Sequence, residues 1–191
     1  MNNRAESIRV MHPLFQEGEG GPTPTSALQM RVEPCPLTMA MELNAKWHSV
    51  LPKTHFANLK AGFHSICYAA EFNGITYAVS IWSDPVNRSL CDGKTIELRR
   101  LAIAPDAPKN TASRMLSIMT RLLAKRFPEL ARAVSYQAVD VHRGTIYKAA
   151  GWTQTVFVKF TPWDRKTAGK RGRRRDPQTK SDKQRWEKEL S

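Results

Sequence analysis

The chain has 191 residues, 41% of them hydrophobic, and a formal net charge of +13. That length can bury one core, so a single domain with tails is expected, and the positive excess points to a polyanionic partner. Three cysteines (Cys35, Cys67 and Cys91) without a CxxC pair argue against a disulfide framework or a zinc knuckle. With no run of 18 apolar residues and no signal-peptide core, a cytoplasmic protein away from the membrane is expected.

Residues 1–36 are rich in Pro, Gly and Glu and show no sustained period, which reads as an arm or irregular lead-in. Thr38 is a candidate cap for a helix running to His48, with Met41 and Ala45, and Leu43 and Trp47, one turn apart. Phe63 to Phe72 and Ile75 to Trp82 are strand-like runs joined by Asn73-Gly74, the dipeptide of a type I′ hairpin. Residues 83–94 read as a loop, Ile96 to Ile103 as a strand and Pro105 to Asn110 as a turn.

From Thr111 a helical face carries Ala112, Met115, Leu116, Met119, Leu122 and Leu123, and Pro128 ends it. Val134 to Val139 reads as a buried strand, Thr145 to Ala150 as a short helix stopped by Gly151, and Thr155 to Phe160 as the last strand. The order gives an α+β domain with one mixed central sheet flanked by helices, spanning about residues 37–163.

Residues 164–191 read as a basic tail. Residues 165–191 hold eleven Lys/Arg against four Asp/Glu. The run Lys170, Arg171, Arg173, Arg174 and Arg175 suits phosphate contacts that neutralise DNA without reading its sequence. A solubilising tail is the plainer alternative. Trp186 is placed to anchor a terminal helix back onto the domain.

The strand, turn and helix around residues 96–126 put a helix N-terminus, with its unpaired N–H groups, at the C-terminal end of a strand, where an anion can be held. This order resembles the fold of the GNAT acyl-CoA N-acyltransferases. Within it, Leu98-Arg99-Arg100-Leu101, residues 108–114 (PKNTASR) and residues 144–152 (GTIYKAAGW) resemble the Mom family, as does the tract Lys46-Trp47-His48-Ser49. Mom proteins are phage DNA-modification proteins that place a methylcarbamoyl group on adenine N6.

The resemblance implies a transferase acting on double-stranded DNA. It implies a donor site at Lys109, Asn110, Thr111, Ser113 and Arg114, with Ser113 also a catalytic candidate. GNAT enzymes have a glycine-rich turn there, whereas this chain has no glycine between Lys94 and Gly144, which puts ordinary acetyl-CoA binding in doubt. The donor stays open between acyl-CoA and another acyl or glycyl carrier. Asn110 and Thr111 can also serve simply as caps.

Tyr147 matches the tyrosine that protonates the leaving thiolate in GNAT enzymes, the alternative being a half-buried aromatic. Asp140, at the C-terminal end of an apolar strand, is a catalytic candidate, or else the ion-pair partner of Arg99, Arg100 or His142. The family also implies iron, whose ligands would fall on His48 and Asp140, a donor pair suited to non-haem iron.

Adenine N6 is a poor nucleophile inside a duplex, so activation and base extrusion are required. Trp47, Tyr68, Trp82 and Trp152 are candidate stacking surfaces, each with a core role as the alternative. Two other readings stand beside this one: an acetyl-CoA-dependent N-acetyltransferase acting on a protein or small amine, and a non-catalytic nucleic-acid-binding protein on the same scaffold. Oligomeric state is open, a homodimer included.

Overall fold

A computed structural model describes residues 23–48, 65–160 and 181–190. Seven strands form one mixed sheet: β1 Arg31–Pro34, β2 Ser65–Phe72, β3 Ile75–Ser83, β4 Thr95–Ile103, β5 Arg132–Ala138, β6 Thr153–Val158 and β7 Lys183–Glu189. Their spatial order is β1-β2-β3-β4-β5-β7-β6, and every neighbouring pair is antiparallel except β4 and β5. The described helices are α1 Leu37–Trp47, α2 Thr111–Arg126 and α3 Thr145–Ala149. The α+β class and mixed sheet expected from the sequence are present.

Helix α2 covers one face of the sheet. Its residues Met115, Leu116, Met119 and Leu123 are fully buried against Ile96 and Leu98 of β4 and Tyr68 and Trp82 of the hairpin. Each such side chain gains about 1.5–3 kcal/mol from burial. The Met119 sulfur also accepts hydrogen bonds from Ser80 Oγ at 2.8 Å and Trp82 Nε1 at 3.3 Å, so neither buried donor is orphaned. Helix α1 covers the opposite face, packing Ala40 against Cys67, Ala69, Val79, Ile81 and Ala102.

Asn73 and Gly74 both have positive φ, at 49° and 77°, as the type I′ hairpin between β2 and β3 requires. The expected start of that hairpin at Phe63 lies outside the described residues. Helix α1 starts one residue before Thr38 and follows Pro36, with no side-chain cap, because Thr38 already sits inside the first turn.

Both ends of the domain extend further than the sequence suggested. Arg31–Pro34, expected in the lead-in, pairs with β2 as an edge strand. Lys183–Glu189, expected in the tail, is a strand inserted between β5 and β6, so β6 is not the last strand. Trp186 does anchor this segment, at 2% exposure, but within a strand rather than a helix. Arg171, Arg173, Arg174 and Arg175 lie outside the described residues.

Candidate active site

The two parallel strands at the middle of the sheet separate part-way along. β4 and β5 pair only from Thr95↔Arg132 to Leu98↔Ser135, yet β4 continues to Ile103 and β5 to Ala138. A bulge in β4 lies at this point: Ile81 pairs with Arg100 and Trp82 with Leu98, leaving Arg99 as the extra residue. Beyond Leu98 and Ser135 the facing backbone edges carry no ladder bonds, so the sheet opens as a fork at the strands' C-terminal ends.

Tyr147 sits at the crotch of that fork. Its hydroxyl is 2.9 Å from Ser135 Oγ, and Ser135 in turn donates to Leu98 O at 3.4 Å. The phenol ring stacks on Trp186, with centroids 5.3 Å apart and an 11° interplanar angle, and meets Trp152 edge-on at 5.6 Å. Burial raises the Tyr147 pKa above its usual value near 10, and the Ser135 hydrogen bond opposes that only in part. The group is therefore a protonated phenol at neutral pH, able to give a proton to a leaving group inserted into the fork.

Residues outside the motif hold Tyr147 in place. Trp186 Nε1 donates to Gln137 Oε1 at 2.7 Å, and Gln137 Nε2 donates to His142 O. Gly144 has φ of 72°, and a Cβ there would fall 2.3 Å from Trp186 Cζ2. Only glycine fits this approach of α3 to β7.

The turn from β4 into α2 makes the second part of the site. Asn110 takes the left-handed conformation, φ 67° and ψ 5°, that a glycine would ordinarily supply. This is how a loop without glycine still makes the bend. Asn110 makes no side-chain cap, so the start of α2 is open.

Lys109, Asn110, Ser113 and Arg114 line a groove of about 450 Å³ with Ser117 and Arg121, walled by Ser26 to Leu28. The lining holds three cations and no carboxylate, and the buried Nε of Arg114 has no hydrogen-bond partner among the described residues. The groove is electropositive at a helix N-terminus, which favours an anion. Thr111 is not part of it. The residue is 3% exposed, and its hydroxyl donates to Pro108 O at 2.7 Å. The Ser113 hydroxyl lines the groove but donates to Asn110 O at 3.1 Å.

Asp140 departs from expectation. It lies on an exposed turn after β5, where the Val141 and His142 N–H groups both bond Ala138 O, so its carboxylate stays in water. It forms no ion pair among the described residues, and Arg99 pairs instead with Glu97, Nε to Oε1, at 3.4 Å. Glu97 is buried, which raises its pKa, and accepts a hydrogen bond from Val86 N at 2.9 Å.

His48 is the half-buried C-cap of α1. Burial lowers its pKa most, followed by the charges of Arg100 and His142. Among the described residues no three His, Cys, Asp or Glu side chains come together to hold a metal. An iron site at His48 and Asp140 is therefore not supported among the described residues. Tyr68, Trp82 and Trp152 are core residues, at most 4% exposed, and Trp47 packs against both core clusters.

A splayed pair of parallel strands, a helix N-terminus beside it and a phenol at the fork are the layout of an N-acetyltransferase fold. Among solved structures, the chain is similar to the ribosomal-protein-S18-alanine N-acetyltransferase of Escherichia coli (TM-score 0.59, 14% identity, covering 85% of this chain and 94% of that one). It is also similar to a Bacillus subtilis acetyltransferase in complex with CoA (0.56, 12%, 85% and 99%). A third is the Vibrio cholerae spermidine N-acetyltransferase in complex with CoA and spermine (0.57, 12%, 85% and 96%). At these identities the likeness shows the fold alone. No curated protein matches the chain in sequence. The sequence profile of the Mom protein family matches residues 29–190, and the chain belongs to that family.

Sequence reasoning singled out Tyr147 and the start of α2 as site candidates and Trp186 only as an anchor, and it did not mark Ser135 or Gln137. Ser135 and Gln137 stand two apart in the apolar strand VSYQAV, so they share a face, and that alternation was the available signal. The Ser26–Leu28 wall had no such mark.

Proposed function

We propose that this chain is a DNA-modifying transferase that moves a methylcarbamoyl group onto adenine N6 in double-stranded DNA. Family and fold together support acyl-transfer-type chemistry, and the finer assignment of acceptor and group is this reading's own. The observation that carries it is the pairing of a protonated, buried phenol at the β4/β5 fork with an acid-free cationic groove at the start of α2.

Lys109, Asn110, Ser113 and Arg114 would hold the anionic end of an acyl-CoA or similar donor through charge and the open N–H groups of the helix start. When bound, that donor supplies the activated acyl group. Tyr147 protonates the leaving group, and Ser135 and the Trp186 stack keep the phenol aimed at the fork. The acceptor base must be unpaired before its amine can reach the fork, so extrusion from the duplex precedes transfer. No step is assigned to iron.

Mass spectrometry of nucleosides from cells expressing the protein tests this reading. A new adenosine adduct supports it. Unmodified DNA with acetylated proteins or amines would make the chain a conventional N-acetyltransferase, and no modification of either would leave a binding protein.

A further inference from the structure

Four aromatic rings lie in one row across the sheet at the crotch of the fork. Trp82 pairs with Leu98, Leu98 with Ser135 and Ser135 with Trp186, so these residues share one transverse line through β3, β4, β5 and β7. It is the line at which the β4–β5 ladder stops. Tyr147 stacks on Trp186 here, with its hydroxyl on Ser135. Trp152 completes the row between Tyr147 and Trp82, its ring centroid 5.6 Å from the first and 6.3 Å from the second. The Trp152 backbone N–H also bonds Tyr147 O at 3.0 Å, which ties the two residues together.

The three indoles of this row differ in one respect. Trp82 Nε1 donates to the Met119 sulfur and Trp186 Nε1 to Gln137 Oε1. Trp152 Nε1 is closed off from solvent and has no hydrogen-bond partner among the described residues, in a side chain that is 4% exposed. Nearly all buried N–H groups in native structures are paired, so an orphan beside a reactive phenol calls for an explanation. Core packing supplies none, since a phenylalanine fills an apolar slot without stranding a donor.

We infer that the Trp152 indole N–H donates a hydrogen bond to the carbonyl oxygen of the group being transferred and so positions that group against Tyr147. This rests on the transferase reading above. Whether acyl, glycyl or methylcarbamoyl, the group carries a carbonyl close to the bond that breaks. A carbonyl oxygen is the strong acceptor that the lone N–H lacks, whereas a leaving sulfur accepts weakly and is already served by Tyr147. Only packing closes over the Trp152 N–H, so an entering oxygen has no protein partner to displace. A loaded carrier pairs the donor and a spent one strands it again, so the same contact favours substrate over product.

The full chain is titrated calorimetrically with acetyl-CoA and with CoA, which differ in the acetyl group alone. Wild type binds acetyl-CoA more tightly than CoA. Trp152→Phe lowers that preference about tenfold and leaves CoA affinity within about twofold of wild type. No acetyl preference in the wild type, an unchanged preference in the variant, or equal loss for both compounds overturns the assignment while the groove stands. Should Trp152→Phe fail to fold, the wild-type chain carrying isotope-labelled tryptophan decides by nuclear magnetic resonance. An indole N–H signal close to Tyr147 then moves with acetyl-CoA and stays with CoA, and identical spectra overturn the inference. A wild type that binds neither compound removes the acyl-CoA donor from the groove, and the carbonyl contact falls with it.

Discussion

Replacing Trp186 with Ala tests whether the C-terminal strand belongs to the domain and the site at once. The side chain is 2% exposed, stacks on Tyr147 and satisfies buried Gln137. Truncating a buried Trp costs about 3–5 kcal/mol. Two identifiable parts account for much of that: about 0.5–1.5 kcal/mol for the aromatic pair, and about 1–3 kcal/mol for stranding the Gln137 oxygen. For a domain of this size each kcal/mol moves the melting temperature about 2–4 °C, so Trp186→Ala should melt about 6–20 °C lower. Trp186→Phe keeps one aromatic ring for the stack but loses the N–H and part of the indole volume, so its drop should be smaller than that of Trp186→Ala. Differential scanning calorimetry of the full chain reads both. A Trp186→Ala protein melting within about 2 °C of wild type would show that residues 183–189 do not form the strand described, and the account of how Tyr147 is held would fall with it.

Tyr147→Phe should reduce nucleoside modification about 10²–10⁴-fold at near-wild-type melting temperature, and full activity would remove the phenol from the chemistry. Because the Tyr147 pKa is raised, the alkaline limb of the rate profile should not begin below about pH 10, and an earlier limb would belong to another group. Arg114→Ala and Lys109→Ala should each weaken CoA binding in calorimetric titration about tenfold, and unchanged affinity would move the donor out of the groove. Gly144→Ala should destabilise the domain by about 2–4 kcal/mol through its positive φ and the collision with Trp186, measured as a denaturant midpoint. Burial pushes Cys35 and Cys67 up to about 12 from 9.0. A folded-state pKa above the unfolded one gives stability that is complete below about pH 9 and lost as pH rises toward 12, so melting curves should fall across that window.

The middle of the chain declares itself in sequence because local and tertiary signals agree there. The Asn73-Gly74 hairpin, the apolar face of α2 and the stop at Gly151 each rest on a periodicity or a turn residue. The ends do not. β1 offers Arg-Val-Glu-Pro and β7 Lys-Gln-Arg-Trp-Glu-Lys-Glu, strands with a single large apolar side chain each, Val32 half-buried and Trp186 buried, among charges. They are strands because β2, β5 and β6 present open backbone edges to them, a condition only the assembled sheet supplies. The site divides the same way. Tyr147 was readable from its motif, but the fork arises from a pairing that stops at Ser135 and a bulge at Arg99, and no residue type announces either. Asp140 misled because flanking valines suggest burial, whereas the chain turns away from the sheet just after Val139.

The charge distribution around the fork bears on what kind of acceptor enters it. On the donor side lie Lys109, Arg114 and Arg121. On the other side, Arg100 lies past the bulge on the strand face shared with Ala102, which packs in the α1 cluster, and its charge acts on His48. Under the proposed function, the cations of the donor groove disfavour an ammonium-bearing acceptor such as a polyamine or a lysine, which must also shed a proton before it attacks. They attract an acceptor that carries its own phosphates and whose amine is already neutral. An aromatic base amine in DNA meets both conditions.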